Sequence, residues 1–187
     1  MKIVGFTASP RKAGNTAWIV EKILEGAEER GAETRSWHFA DLDIEPCRGC
    51  YGCKRGDRCV IEDDMHQLYD GIRNADALVF GSPLYIGQMT AQAKTFTDRW
   101  FSQFNPRSAT PQPQERSAAK KLILVFTQGN PDSSFFQTYY DYTKTVFQLI
   151  GFDVKDLVVV TGMQNGPARE RAELHTRMKE IGSSLIP

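Results

Sequence analysis

The sequence predicts a single doubly wound α/β domain, in which helices cover both faces of a parallel β-sheet. Five short apolar segments alternate along the chain with five segments of helical periodicity. The apolar segments are hydrophobic throughout rather than at every second position, as expected for strands that are buried on both faces. The 187 residues, 41% of them hydrophobic, suffice for one core. We therefore expect residues 1–187 to form one domain.

The predicted elements follow in strict alternation. The predicted strands are Lys2–Ala8, Ala32–Phe39, Ala77–Gly81, Leu122–Thr127 and Val154–Val160, and the first of them is a short apolar run without a helical stop signal. The helices carry apolar residues at intervals of three and four: about Thr16–Arg30, Asp63–Asn74, Thr90–Phe104, Ser133–Ile150 and Pro167–Ser184. The polar stretch Asn105–Lys120, with its three prolines, is predicted to be an exposed connection.

This pattern leaves open whether the strands follow the order 2-1-3-4-5 or a Rossmann order. In both, ligands bind outside the carboxyl ends of the strands, near the switch point. The 23 basic and 23 acidic residues cancel, which argues against nucleic-acid binding. No apolar run approaches the roughly 20 residues of a membrane span, and basic residues come before any signal-peptide core could form. We expect a cytoplasmic protein with no nucleic-acid or membrane partner.

The segment after the first strand has the composition of an anion site. Ser9, Arg11, Gly14, Asn15 and Thr16 lead directly into a helix, so that hydroxyls, an amide and free backbone N–H groups come together. The alternative to an anion site is a simple helix cap, although a cap needs only one such residue. Neither GxGxxG nor GxxxxGK[ST] is present, which favours a single terminal phosphate, as in a mononucleotide.

Two further loops follow the third and fourth strands. In Gly81–Gly87, Pro83 fixes one φ angle, and Gly87 permits a close backbone approach or a positive φ. Backbone N–H groups held in this way can bind the polar edge of a flat heterocycle while Tyr85 covers its apolar surface. The alternative is a tight turn with a core tyrosine. The residues Thr127–Asn130 add small polar groups from a third direction.

All the cysteines of the chain lie close together, at Cys47, Cys50, Cys53 and Cys59. Such crowding suggests a metal site rather than disulfides. Three thiolates spaced two residues apart can surround three corners of an iron–sulfur cubane, whereas structural zinc usually uses two separated pairs. Zinc, redox-active thiols and inert thiols remain as alternatives.

Three stretches of the sequence, SPRKAGNT, GSPLYIGQMTAQAKTFTDRW and TQG, resemble the NAD(P)H-dependent FMN reductase and flavodoxin-like superfamily. The similarity covers essentially the whole chain. It implies the flavodoxin-like order 2-1-3-4-5, FMN as the cofactor, and a homodimer or homotetramer. The implied phosphate contacts come from Ser9, Arg11, Asn15 and Thr16. The implied contacts to the isoalloxazine ring come from Pro83, Leu84, Tyr85, Ile86 and Gly87, with Thr127, Gln128 and Gly129 closing one side.

Within that superfamily, the cysteine pattern is similar to that of the iron–sulfur flavoproteins. The resemblance implies that Cys47, Cys50, Cys53 and Cys59 ligate one [4Fe–4S] cluster beside FMN. It also implies an FMN-dependent oxidoreductase that passes electrons between a ferredoxin-like or NAD(P)H donor and a small acceptor. Two alternatives remain: a cluster-free NAD(P)H-dependent FMN or quinone reductase, and a non-enzymatic flavodoxin-like electron carrier. No catalytic triad or carboxylate pair is evident, and flavin chemistry requires none.

Overall fold

A computed structural model describes residues 1–56, 58–103 and 119–187 of the chain. Its strands are β1 (Lys2–Thr7), β2 (Glu33–His38), β3 (Ala77–Tyr85), β4 (Gln88–Met89), β5 (Lys120–Thr127) and β6 (Phe152–Val160). The parallel sheet has the order β2-β1-β3-β5-β6, and the short β4 pairs with β3 as an antiparallel hairpin. Without the hairpin strand this is the 2-1-3-4-5 order, so the predicted flavodoxin-like α/β fold is confirmed.

Five helices cover the two faces of this sheet: α1 (Asn15–Glu28), α2 (Met65–Asn74), α3 (Ala91–Arg99), α4 (Gln137–Leu149) and α5 (Ala172–Ser183). Helices α1 and α5 pack on one face, around Ile3 and Val79. Helices α2, α3 and α4 pack on the other face, around Phe6 and Phe80. Successive residues of a strand thus enter different cores, which explains why the inner strands β1, β3 and β5 are apolar over most of their length. The edge strands β2 and β6 carry exposed polar residues such as Glu33 and Lys155.

Helices α1 and α5 touch at the level of their backbones. A Cβ atom built on Gly26 would lie 2.1 Å from the carbonyl oxygen of Lys179, and one built on Gly182 would lie 1.8 Å from that of Ile23. Only glycine permits this approach, because a Cβ at either position would overlap the neighbouring backbone. Helix α1 is therefore fixed firmly against α5.

Several predicted boundaries need correction. The third strand continues four residues beyond Gly81, because its end forms the hairpin with β4. Helix α3 stops at Arg99 and continues as the 3₁₀ turn Trp100–Gln103. Helix α4 begins at Gln137 rather than Ser133, since the carboxylate of Asp132 accepts hydrogen bonds from the backbone and hydroxyl of Ser134 and holds a turn there.

The last helix and the predicted exposed connection also differ from expectation. Helix α5 begins at Ala172, after the separate 3₁₀ turn Ala168–Glu170. Of the connection predicted over Asn105–Lys120, residues 105–118 lie outside the described residues, and Lys120 already belongs to β5. Among the residues that are described, no helix has the length and apolar character needed to cross a membrane.

Candidate functional site

The loops singled out in the sequence meet at the carboxyl edge of the sheet. The register pairs Thr7 of β1 with Gly81 of β3, and Pro83 of β3 with Thr127 of β5. The backbone N–H of Ala8 also donates to the carbonyl of Gly81, at 2.8 Å. The ends of three adjacent strands, and the loops that follow them, are thus brought to one place.

The first loop, which connects β1 to α1, leaves the backbone N–H groups at the N-terminus of α1 without a side-chain cap. Gly14 is the N-cap, so no side chain caps the helix, and its first turn carries no acidic residue. The loop is kept compact because the N–H of Arg11 donates to the hydroxyl of Ser9, at 3.1 Å. A Cβ on Gly14 would lie only 3.0 Å from the carbonyl of Arg11. The free N–H groups of the first turn and the helix dipole together favour an anion here.

Two of the predicted phosphate ligands also hold the site together. The buried hydroxyls of Thr16 and Thr127 lie 2.7 Å apart and link the start of α1 to the third loop, which follows β5. The side-chain oxygen of Asn15 accepts the N–H of Ala168 at 2.8 Å, which directs the amide nitrogen of Asn15 to other partners. Both residues therefore position α1 relative to neighbouring loops.

The second loop is a tight hairpin. Leu84 pairs with Met89, and the two turn residues Ile86 and Gly87 have φ angles of 51° and 76°. Two successive positive φ angles match a type I′ turn, a conformation that costs a β-branched residue such as Ile about 1–2 kcal/mol. Ile86 is also fully exposed, at 102% of its reference surface area. A strained and exposed apolar turn beside an anion site is typical of a ligand contact.

The hairpin rests on the loop that precedes α4. A Cβ on Gly87 would approach the ring of Phe136 to 3.0 Å, so glycine is needed for this contact. The N–H of Met89 donates to the hydroxyl of Tyr139 at 2.9 Å. These contacts hold the hairpin in a defined position, with Tyr85 still exposed beside it.

The amide nitrogen of Gln128 donates its hydrogen bonds within the third loop. It donates to the carbonyls of Asn130 and Asp132, at 2.9 and 2.7 Å, and the side-chain oxygen of Gln128 accepts the hydroxyl of Tyr140. Burial raises the pKa of Tyr140 to about 12, so this hydroxyl remains a donor at neutral pH. Gln128 thus shapes the backbone that runs through Gly129, and any contribution to a ligand comes from that backbone.

The four cysteines lie in residues 46–60, which we call the cysteine segment. Cys47 and Cys50 are exposed, Cys53 is half-buried and Cys59 is buried. The segment turns at Gly49 and Tyr51, both with positive φ, and burial raises the pKa of the Cys53 thiol. Over residues 1–56, 58–103 and 119–187, no three Cys, His, Asp or Glu side chains are grouped as metal ligands. Thiolate chemistry suits iron, but the structure does not bring the four predicted ligands together.

Sequence reasoning missed several residues that build the site. Thr90, the N-cap of α3, donates its hydroxyl to the carbonyl of Ala8 at 2.6 Å, and its backbone N–H donates to the hydroxyl of Ser82 at 3.1 Å. His38 lies beside the first loop, with its Nε2 atom 3.3 Å from the carbonyl of Arg11. The one available signal was Thr90 itself, a polar residue directly before a helical pattern.

Comparison with known proteins identifies the family. The family described as NADPH-dependent FMN reductase matches residues 1–173. The chain belongs to this family. Membership supports FMN as the cofactor and an FMN-dependent oxidoreductase as the class of protein.

Relatives with curated descriptions carry the name iron–sulfur flavoprotein. One from Methanosarcina thermophila is 41% identical over 99 residues, which cover 53% of this chain and 52% of that protein. One from Clostridioides difficile is 25% identical over 194 residues, covering 100% of this chain and 78% of the relative. The matched stretch thus spans only about half of the more similar relative.

Solved structures share the fold at low identity. An NAD(P)H:quinone oxidoreductase from Methanothermobacter marburgensis has a TM-score of 0.77 at 20% identity, covering 99% of this chain and 96% of that one. An FMN-dependent NADH-azoreductase from Bacillus anthracis, solved with FMN, has a TM-score of 0.74 at 13% identity and covers 100% and 99% of the two chains. At these identities the likeness establishes the fold alone.

Proposed function

We propose that the protein is an FMN-dependent oxidoreductase that passes electrons between an NAD(P)H or ferredoxin-like donor and a small acceptor such as a quinone. The observation that carries the proposal is the open N-terminus of α1, which lies between two loops at the carboxyl edge of the sheet. An anion site next to an exposed, strained hairpin suits a ligand with one phosphate and one flat ring.

In this proposal the first loop binds the phosphate of FMN. Donors come from the backbone of the first turn of α1, the amide nitrogen of Asn15, and the side chains of Ser9, Arg11 and Thr16. The single anion site favours FMN over FAD, whose pyrophosphate would require a second set of donors. No acidic residue in the first turn of α1 opposes the negative charge.

The other two loops hold and orient the isoalloxazine ring. Residues Pro83–Gly87 present backbone groups to its polar edge, and Thr127–Gly129 close one side. When bound, FMN supplies an acceptor of two electrons that can also release them singly, while the protein contributes binding, orientation and electrostatics. The hairpin can do this because it is fixed by Phe136 and Tyr139 before any ligand arrives.

Mass spectrometry of the released cofactor tests the flavin assignment, and FAD or no flavin would overturn it. Replacing Asn15 and Thr16 with Ala should weaken FMN binding by about 1–3 kcal/mol, because bonds to a charged group are lost. The variant Thr145→Ala is a matched control, since the exposed hydroxyl of Thr145 bonds only to its own helix, at the carbonyl of Asp141. An unchanged dissociation constant would remove Asn15 and Thr16 from the site.

The cysteine segment is proposed to carry one [4Fe–4S] cluster, with Cys47, Cys50, Cys53 and Cys59 as its ligands. Support comes from the soft thiolate donors, their spacing and the names of the relatives. Iron and acid-labile sulfide are to be measured per chain after anaerobic reconstitution, with about four of each expected for a cubane. Zinc without sulfide would indicate a structural metal site instead.

A cluster-free NAD(P)H-dependent FMN or quinone reductase is the second candidate. It is favoured by the ungrouped thiols, of which Cys47 and Cys50 lie at the surface. Steady-state assays with NADPH and with reduced ferredoxin distinguish the two candidates. A protein that lacks iron and is reduced only by NADPH would be the cluster-free enzyme. Failure to turn over any small acceptor would indicate an electron carrier.

We further propose that the protein forms a homodimer or homotetramer. Exposed apolar side chains near the flavin loops, Tyr85, Ile86 and Phe135, support this proposal because such surface is commonly covered in an assembly. Light scattering coupled to size-exclusion chromatography measures the mass directly. A monomeric mass across the working concentration range would contradict it.

A further inference from the structure

One buried guanidinium holds both ends of the cysteine segment. Arg99, the last residue of α3, donates to the two carboxylate oxygens of Asp63 at 2.5 and 2.9 Å. The same guanidinium donates to the carbonyl of Glu45 at 2.8 Å and to that of Ile61 at 3.4 Å. Glu45 and Ile61 are the residues that directly flank the segment on either side.

Asp63 completes this arrangement from the other side. Its carboxylate accepts the N–H of Glu45 at 2.9 Å and the N–H of Met65, the first residue of α2, at 3.1 Å. Glu45 is therefore held through both its carbonyl and its N–H. The side chains of Arg99 and Asp63 are 0% and 4% exposed, so the pair is shielded from water and salt.

The middle of the cysteine segment contacts the same helix end. The ammonium group of Lys54 lies 4.2 Å from the centre of the Phe101 ring and also donates to the carbonyl of Phe101. The ring of Tyr51 meets Phe101 edge-on, with the ring centres 5.7 Å apart. Phe101 comes two residues after Arg99, so the ends and the middle of the segment all rest on the end of α3.

The beginning of α3 is fixed to the flavin loops. Thr90 bonds there to Ala8, after β1, and to Ser82, in β3. The nine residues of α3 span about 13 Å at the usual helical rise. Helix α3 thus connects the proposed flavin site at one end with the cysteine segment at the other.

The guanidinium of Arg99 also has one buried N–H group for which the described residues provide no acceptor. Its Nε atom is buried and has no hydrogen-bond partner among the described residues, which is costly for a charged group. Cys59, two residues before Ile61, is itself only 8% exposed. A sulfur atom held by the segment would be a suitable acceptor for such a donor.

We propose that Arg99 is a positioning residue that fixes the cysteine segment at a set place relative to the flavin loops and prepares its thiolates for a common metal group. This proposal depends on the proposed function only for the identity of the metal group, which is the [4Fe–4S] cluster. The hold of Arg99 on the segment is a property of the chain alone. It can therefore be measured without iron or flavin.

The test compares Arg99→Met with Lys94→Met in the reduced full chain under anaerobic conditions. Lys94 is the matched control, because it is an exposed residue of the same helix that pairs with Asp98. The alkylation rate of each cysteine by iodoacetamide is followed by peptide mass spectrometry. We expect Cys59 to react about tenfold faster or more in Arg99→Met, because hydrogen bonds from a charged group are lost at both ends of the segment.

A second variant covers the case in which Arg99→Met does not fold. Arg99→Met combined with Asp63→Leu removes both charges, and replacing a buried ion pair as a whole is often neutral for stability. Faster alkylation of Cys59 is expected in this variant as well. Protection of Cys59 equal to that in the control, in either folded variant, would overturn the proposal.

Two further measurements separate positioning from a general loss of structure. The FMN dissociation constant should be unchanged, whereas general unfolding would weaken it. Titration with Co²⁺ alone should give weaker thiolate–cobalt charge-transfer absorption in Arg99→Met than in Lys94→Met, and equal absorption would count against positioning. If the wild-type chain takes up neither iron nor sulfide, the proposed cluster fails, while the alkylation of Cys59 still decides the role of Arg99.

Discussion

The flavin loops and the cysteine segment are held by different kinds of interaction. The loops after β1, β3 and β5 are joined by short bonds between neutral groups, such as the Thr16–Thr127 hydroxyl pair and the bond from Thr90 to Ala8. The cysteine segment is held by the buried Arg99–Asp63 ion pair and by a cation–ring contact at Phe101. Two of its four cysteines remain exposed.

This difference indicates two degrees of preorganisation. The hydrogen bonds that join the flavin loops are formed between neutral groups of the chain, so they require neither an ionised side chain nor a bound ligand. The cysteine segment is fixed where it joins the domain, but its thiols are not yet grouped. In our proposal, the cluster supplies the contacts that bring these thiols together. Five predictions test this contrast.

The largest effect is expected from breaking the ion pair that holds the segment. Asp63→Asn leaves the Arg99 guanidinium buried without a counter-charge and should cost about 3–5 kcal/mol of unfolding free energy. Asp98→Asn, which breaks the exposed pair with Lys94, should cost less than about 1 kcal/mol. Urea denaturation of both variants measures this difference. Equal losses would mean that burial of the pair contributes nothing.

The same pair gives the segment a dependence on acid pH. Burial raises the pKa of Asp63, but the hydrogen bonds from Arg99, Glu45 and Met65 and the charge of Arg99 together outweigh it, and the pKa falls below the ordinary 3.8. A depressed folded-state pKa adds stability that is complete above the unfolded pKa and is lost as the pH falls through the folded one. We therefore expect acid below about pH 4 to lower the urea unfolding free energy of wild type more than that of Asp63→Asn. A parallel response of the two proteins would refute this.

An intermediate effect is expected from filling the space at the flavin loops. A Cβ on Gly81 would lie 2.5 Å from a methyl group of Val20 and 3.0 Å from that of Thr16. Gly81→Ala should therefore cost about 1–3 kcal/mol, because α1 must move away from β3. Gly56→Ala in the cysteine segment is the control, since no atom of the described part of the chain lies within 4 Å of its Cβ. Equal losses of unfolding free energy in the two variants would mean that the flavin loops are not packed more tightly than the cysteine segment.

A smaller effect is expected at the hydroxyl pair. Thr16→Val leaves the buried Thr127 hydroxyl without its partner and should cost about 1–2 kcal/mol in the flavin-free chain. Replacing both threonines with valine should recover part of that loss, since no unpaired group remains. Unfolding free energies of the two single variants and the double variant give the coupling directly. Strict additivity would show that the two hydroxyls do not interact.

The smallest effect, and the only gain, is expected at the hairpin turn. Ile86→Asn should stabilise the chain by about 1 kcal/mol, because Asn tolerates a positive φ and an exposed isoleucine loses no packing. Ile86→Val retains the branched Cβ and should bring no gain. Thermal unfolding of the two variants distinguishes them, and a destabilised Asn variant would mean that Ile86 is not strained.

The sequence predicted the fold and the place of the site because both depend on local patterns. Apolar runs such as Leu122–Thr127 identify buried strands, and the Ser9–Thr16 composition identifies a helix N-terminus that can bind an anion. The hairpin was not predicted, since Ile86 occupies a turn position that usually carries Asn or Gly.

The buried Arg99–Asp63 ion pair was not predicted, because its two residues lie far apart in the sequence. Asp63 accepts the N–H of Met65 at the start of α2, as a local helix cap would, but its main partner lies 36 residues away. The available signal was the position of Arg99, three residues after the buried Phe96 on the inner face of α3. An arginine in an apolar stripe indicates a buried partner, although the sequence does not say which one.

The close contact between α1 and α5 has a consequence for shortening the chain. The family match ends at residue 173, one residue beyond the first residue of α5. A protein ended there would lose Gly182, Met178 and the rest of the helix that covers α1. Ile23 and Ala27 would then face water, and the helix whose N-terminus is proposed to bind phosphate would lose its support. The folded unit of this protein thus extends beyond the family match, because the last helix supports the helix whose N-terminus is proposed to bind phosphate.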